Sequence, residues 1–254
     1  MEIITIITLV CFAVLLIYMW LVAKENRIVE HELHYQQFPQ SLKELQIFFI
    51  SDIHRRVISE EMINEVKGRA DLVIIGGDIT ERGVPYARTE ENIRRLRAIG
   101  PTYFVWGNND FEKNVNQLEE IFRKYQVTIL EDSHAVISTN EGDKIYLIGI
   151  GEHEEDEYNL DDVFQPIEKE AFKIVVCHKP DVKKHIKEED HISLLLCGHT
   201  HGGQIRIFGM GPYSKGKLHR TRTMDMLISN GYGTTSLPLR LSARPETHLI
   251  KITR

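Results

Sequence analysis

Residues 47–54 read IFFISDIH, four large apolar residues followed by Ser51, Asp52 and His54. A short apolar run of this kind suits a strand buried on both faces, and a buried strand can deliver polar side chains only at its end. The pattern recurs four times. Residues 72–78 read LVIIGGD and end on Asp78. Residues 103–108 read YFVWGN and end on Asn108. Residues 174–178 read IVVCH and end on His178. Residues 194–201 read LLLCGHTH and end on His199 and His201. In open α/β sheets, ligands collect beyond the carboxyl ends of the strands. Carboxylate, amide and imidazole ligands together suit two hard-to-borderline divalent metals such as Mn, Fe or Zn, and do not choose among them. Asp52 and His54 stand at i and i+2, so in a strand they would share a face and could grip one ion. The glycines before Asp78 and Asn108 allow sharp reversal and close backbone approach.

Around these runs the chain alternates strand with helix, which argues for βαβ units. Glu60–Lys67 puts Met62, Ile63 and Val66 on one helical face. Glu90–Ile99 and Val115–Tyr125 repeat that periodicity. Later strands are expected at Ala135–Ser138, Lys144–Ile150, Met226–Ser229 and Thr247–Ile252. Several have no helix between them, so a second, more antiparallel sheet is expected. The acidic stretch Glu152–Asp162 reads as a solvated loop.

The N-terminus is different in kind. Ile3–Ala23 carries no charge and is apolar on every face. As a helix it would span roughly 31 Å, about one hydrocarbon core. Glu2 precedes it where a cleavable leader would carry a basic residue. Tyr18 and Trp20 suit an interfacial position, and Lys24 and Arg27 follow on the side that the positive-inside rule makes cytoplasmic. The expected organisation is a single-pass transmembrane anchor over residues 1–23, a linker with an edge strand over 24–45, and one catalytic domain over 46–254 on the cytoplasmic face of the cell membrane. A net charge of -6 disfavours nucleic acid as a partner. Cys11, Cys177 and Cys197 make no disulfide framework.

Taken in order, DIH, GGD, GNND, CHKP and GHTHGGQ resemble the signature of the calcineurin-like metallophosphoesterase superfamily. The tail SNGYGTTSLPLRLSARPE over 229–246 is similar to that of a bacterial subgroup with an N-terminal membrane segment. The resemblance implies an α/β (α+β) fold, a four-layer αββα sandwich of two mixed sheets flanked by helices. It implies Asp52, His54 and His201 on one metal, Asn108, His178 and His199 on the other, and Asp78 bridging both. Hydrolysis would then proceed through a hydroxide shared by the metals. Asp110 would orient the site from behind.

One position departs from the family's pattern. A His ordinarily follows the metal-binding Asn and assists the leaving group; here Asn109 stands in its place. An amide cannot donate a proton as imidazolium does, and a general acid is worth about 10²–10⁴ in rate. Phosphodiesters of acidic alcohols and pyrophosphates suffer least from its loss, so they are expected substrates ahead of alkyl monoesters. The substrate would be a small molecule or a lipid-linked phosphoester or pyrophosphate near the bilayer. Asn109 also leaves open a catalytically weakened metal-binding scaffold at the membrane. Arg55 and Arg56, directly after the first motif, are candidates for a substrate phosphate. His153 and His219 are candidate replacement acids. The Gly-, Lys- and Arg-rich segment Gly209–Arg222 is a candidate loop over the metals.

Overall fold

The computed structural model describes residues 1–139, 141–154 and 158–254. Two six-stranded mixed sheets face each other. The first runs β1 (Ile28–His34), β12 (Thr247–Thr253), β2 (Leu45–Ile50), β3 (Leu72–Gly76), β4 (Thr102–Val105) and β5 (Val127–Ile129). The second runs β10 (Lys217–Arg220), β11 (Asp225–Ile228), β9 (Leu194–Cys197), β8 (Phe172–Val176), β7 (Lys144–Gly149) and β6 (Ser133–Ser138). The period-2 alternation of strand side chains divides the apolar runs between two cores. Ile47 and Phe49 point between the sheets, against Leu147, Ile174 and Leu196. Phe48 and Ile50 point outward, under α2 (Glu60–Val66), α3 (Tyr86–Arg97) and α4 (Val115–Lys124). On the far side, Ile148, Val175 and Leu195 pack under α5 (Leu160–Phe164). Helix, sheet, sheet and helix make the four layers that the sequence implied.

Local chemistry sets the helix starts. Ser59 caps α2 by accepting the Met62 N–H, and Asn114 caps α4 by accepting the Gln117 N–H. α3 begins four residues before the expected Glu90, directly after Pro85. Its buried face uses Thr89 and Asn92 beside Ile93 and Leu96, so apolar periodicity alone could not show where it starts. Both polar residues are satisfied: Thr89 meets the Thr80 hydroxyl at 3.1 Å, and Asn92 accepts the Ile58 N–H at 2.9 Å.

The second sheet is the more antiparallel of the two, as expected: β10 with β11 and β6 with β7 are antiparallel, against β12 with β2 alone in the first. Its four central strands are parallel. One sequence expectation needs correction: the acidic stretch is not simply a solvated loop. Glu152 pairs with Lys179, and α5 begins at Leu160. Residues 155–157 of that stretch lie outside the described residues.

α1 (Glu2–Val22) is the one helix among the described residues that is long and apolar enough to cross a membrane, with a mean hydropathy of 2.7. Its side chains are largely exposed except at its last turn, where Met19 and Val22 are buried. The stretch after it is welded to the domain. Arg56 donates to the carbonyls of Lys24, Glu25 and Tyr232 and to Asn26 Oδ1, and its guanidinium stacks 3.7 Å over the Tyr232 ring. Arg56 therefore holds the linker, and its expected role as a phosphate contact is corrected. Arg56→Ala should lower stability by about 1–3 kcal/mol through stranded carbonyls and leave turnover of a soluble aryl diester unchanged. Denaturant melts and limited proteolysis at residues 23–27 would check the first part, and rates the second.

Register fixes where α1 arrives. Ile28 at the start of β1 pairs with Thr247, and the next residue of β12, His248, pairs with Phe49 near the end of β2. The helix thus meets the domain at the same end of the sheet from which Ser51 and Asp52 emerge.

A candidate two-metal centre at the strand ends

β2, β3, β4, β8 and β9 end at one edge of the sandwich and bring the seven candidate ligands together. Asp52, His54 and His201 offer atoms that all lie within 4.8 Å of one another, as do Asp52, Asp78 and His178. All five of these residues are buried. His54 Nε2 and His201 Nε2 face each other at 3.1 Å, and His201 Nε2 is 3.3 Å from Asp52 Oδ1. Asp78 Oδ2 is 3.2 Å from His178 Nε2 and 3.7 Å from His54 Nε2. His199 Nδ1 is 3.3 Å from His178 Nε2. Nitrogens and carboxylate oxygens at this spacing, buried and converging, fit the mixed donor set of a borderline divalent cation. Asn108 is exposed beside them, with its Nδ2 donating to Asn109 Oδ1.

Close backbone approach makes the convergence possible. Gly77, at φ +85°, leaves no room for a side chain: a Cβ there would sit 2.6 Å from His178 Nδ1. Gly107 is pressed against Asp78 in the same way. Five candidate ligands pay in backbone strain. Asp52, His54, Asp78, His199 and His201 have φ between +49° and +70°, the left-handed region that non-glycine residues enter at a cost of order 1–3 kcal/mol each.

A layer of supporting contacts orients these side chains. Ser51 Oγ donates to Asp52 Oδ2 at 2.6 Å, and the His199 N–H donates to Asp52 Oδ1 at 3.0 Å. His178 Nδ1 donates to the Gly76 carbonyl at 2.8 Å, which leaves Nε2 free to face Asp78. Glu81 Oε2 lies 2.9 Å from His54 Nδ1, a carboxylate set against the imidazole of a candidate ligand. Arg55 Nε binds the other oxygen of Glu81. Arg240 is fully buried beneath His201, with Nη1 donating to the His201 carbonyl at 3.1 Å. Its Nη2 protons go to the Asn230 and Gly233 carbonyls at 2.6 Å, so its 3.3 Å approach to His201 Nδ1 acts through charge alone.

Electrostatics follow from burial and pairing. Burial opposes ionisation of Asp78, but His178, His54 and the Asn109 N–H hold its carboxyl well below the usual range. Burial also opposes charge on His178, yet Asp78 raises it to about 10. Burial pushes His201 down to about 3, with Arg240 and His54 adding to the shift. Burial and the Asp78 charge push Asp110 up to about 8.

Asp110 receives the N–H groups of Asp78, Gly107 and Thr80 at 2.8, 2.9 and 3.1 Å. It touches no cleft and works by positioning the Asp78 and Gly107 backbone. Asp110→Asn turns one acceptor into a donor facing an N–H. It should cost about 1–3 kcal/mol of stability and lower kcat with KM unchanged. A denaturant titration and steady-state rates would read the two effects separately.

The centre opens into a cleft of about 410 Å³, lined by Asp78, Asn108, Asn109, His199 and His201 on its floor and by Gln204, Ile205, Pro212, Tyr213 and Leu237 among its walls. Pro212 and Tyr213 come from the segment expected over the metals. Arg55, His153 and His219 do not line the cleft. His153 Nε2 instead contacts Asp132 Oδ2 at 2.7 Å, and His219 sits on the edge strand β10. Sequence pattern alone does not single out Glu81 or Arg240 as site residues. Arg240 did leave a signal, a lone charge between the leucines of SLPLRLS. Glu81 left a weaker one, a carboxylate three residues after Asp78.

Comparison with known proteins agrees with this geometry. The family model for calcineurin-like phosphoesterases matches residues 45–203. A Bacillus subtilis (strain 168) protein named "Uncharacterized protein YpbG" is 42% identical over 240 residues, covering 92% of this chain and 90% of that protein. A "Transmembrane protein with metallophosphoesterase domain" from Danio rerio is 28% identical over 270 residues, covering 95% of this chain and 61% of that protein. "Phosphodiesterase YaeI" of Escherichia coli (strain K12) is 25% identical over 255 residues, covering 89% of this chain and 87% of that protein.

Proposed function

The chain belongs to the calcineurin-like phosphoesterase family, and on that footing we propose that it is a single-pass membrane hydrolase of phosphodiester or pyrophosphate bonds with two divalent metals in its cleft. The supporting observation is the convergence of Asp52, His54, Asp78, His178, His199 and His201 at the strand ends, with Asp78, His199 and His201 on the floor of one cleft and five of the six on strained backbone. A scaffold without metals has no use for that strain. Asp52, His54 and His201 would hold one cation, Asn108, His178 and His199 the other, and Asp78 both. Such a pair supplies a nucleophile at neutral pH and offsets charge on the phosphoryl oxygens. The protein's own groups do the rest. Asp78 stays ionised among imidazoles. Glu81 sets a carboxylate against His54, and the Gly76 carbonyl holds His178 in its reactive orientation. Asn109 donates its backbone N–H to Asp78 Oδ1 at 2.8 Å and brings no acid to the leaving group. The preference for diesters and pyrophosphates rests on that amide, and the name of the Escherichia coli relative is consistent with it. α1 is the proposed anchor, with the domain on the cytoplasmic face, and a lipid-linked substrate fits an anchored site.

The test uses the full chain in detergent, stripped with chelator and reloaded with Mn²⁺, Fe²⁺ or Zn²⁺. Two equivalents should bind, and an aryl diester or a pyrophosphate should turn over faster than an aryl monoester. No binding, or faster monoester turnover, overturns the reading. Metal affinity should also depend on pH. His178 keeps its proton up to about 10 when paired with Asp78, and a cation must displace that proton. Mn²⁺ affinity should therefore rise by about tenfold per pH unit through the neutral range, as read by titration calorimetry.

A further inference from the structure

We propose that the turn Ile207–Met210, together with Leu237, is a second membrane contact: it rims the cleft and dips into the lipid interface, so that the site opens onto the headgroup layer. The inference rests on the reading of α1 as a membrane span. Ile207 and Met210 exchange both backbone hydrogen bonds at 3.0 Å, closing a two-residue hairpin turn on Phe208 and Gly209. Both central residues have positive φ, +50° at Phe208 and +80° at Gly209. Asn, Asp or Gly is at ease at the first of these positions, and a bulky ring is not. Phe208 is nevertheless there, 95% exposed, beside Met210 at 71% and Ile207 at 59%. Among the described residues these side chains belong to none of the buried clusters. A soluble surface seldom gathers large apolar groups at a rigid tip without a partner for them.

The tip is rigid because Arg206 staples it. Nη1 donates to the Gly202 and Tyr213 carbonyls, and Nη2 to the Gly209 carbonyl. The same contacts tie the tip to the loop that carries His201. The partner is identified by what lies next to the tip. The Arg206 N–H donates to the Leu241 carbonyl at 2.9 Å, and the neighbouring Arg240 N–H donates to the Met19 carbonyl of α1 at 3.1 Å. Phe208 is two residues from Arg206, within about 7 Å along an extended chain. Trp20 follows Met19, and the Lys24 ammonium sits 3.2 Å over its ring. An aromatic and a lysine at the end of an apolar helix mark the depth of the membrane–water boundary. The apolar tip, the cleft wall at Leu237 and this boundary thus adjoin one another, on the side of the domain where the strands end. A bilayer covers all of them continuously.

The experiment adds a cysteine at 208 to full-length chain carrying Cys11→Ser, where the remaining Cys177 and Cys197 are buried, labels it with an environment-sensitive fluorophore, and reconstitutes the protein in phosphatidylcholine–phosphatidylglycerol vesicles. A second protein labelled at Glu120 on α4 serves as reference. The probe at 208 should shift blue and be quenched by spin labels at headgroup depth, while the probe at 120 should be quenched by aqueous iodide. Phe208→Asp/Met210→Asp should raise KM for a vesicle-borne phosphodiester lipid at least about tenfold and leave soluble aryl diester turnover unchanged. A probe at 208 as open to iodide as the one at 120, or a shift that follows protein concentration instead of lipid, overturns the inference while α1 stays anchored. If alkaline carbonate washes the full chain off vesicles, the span itself fails, and the second contact fails with it.

Discussion

Asp78→Asn is expected to abolish turnover, with a loss of about 10³-fold or more, and to empty the centre of at least one metal. The carboxylate lies 3.2 Å from His178 Nε2 and 3.7 Å from His54 Nε2, where the two proposed metal sites meet. Metal stabilisation of transition-state charge is worth several kcal/mol, and about 4 kcal/mol is already a factor of 10³. The substitution preserves shape and the Asn109 N–H contact, so the loss should be chemical. It also removes a buried charge that faces Asp110. Metal analysis together with a thermal melt makes the result interpretable. Metal content should fall from two toward one or none while the metal-free protein still unfolds cooperatively. A variant that kept both metals and its rate would remove Asp78 from the centre.

Asn109→His should change which bonds are broken. The backbone of residue 109 is already placed by its N–H to Asp78 Oδ1, and its side chain lines the cleft. An imidazole there can protonate a departing alkoxide. Monoester turnover should rise by about 10²–10⁴-fold, the usual worth of a positioned general acid. Hydrolysis of a bis-aryl diester, whose leaving group is stable as an anion, should change far less. The informative quantity is the ratio of kcat/KM for the two substrates. A ratio unmoved by the substitution would mean that Asn109 does not set the preference.

The parts of the site that could be read in the sequence are those carried by buried strands. β2, β3, β4, β8 and β9 are apolar on both faces because each is covered on both sides. The first polar residue after each run therefore marks where the strand leaves the core. Elements without a long period were invisible. β5 has three residues, β10 mixes Lys, Leu, His and Arg, and α5 is five residues inside an acidic stretch. The supporting residues failed for another reason: Glu81 and Arg240 matter through contacts with His54 and His201, which lie far away in sequence. Arg56 shows the converse. It adjoins the DIH motif, but the positive φ at His54 turns the chain, and the guanidinium reaches back to residues 24–26.

The left-handed residues also predict how this protein would decay if its task were lost. Glycine at position 52, 54, 78, 199 or 201 would relieve torsional cost. Each such change would relieve that strain while erasing a ligand, with the side chain's lost hydrogen bonds set against the gain. Retired copies of the gene should therefore drift toward glycine at these five places first. A chain that still carries aspartate and histidine at all of them bears the thermodynamic mark of a ligand set still in service.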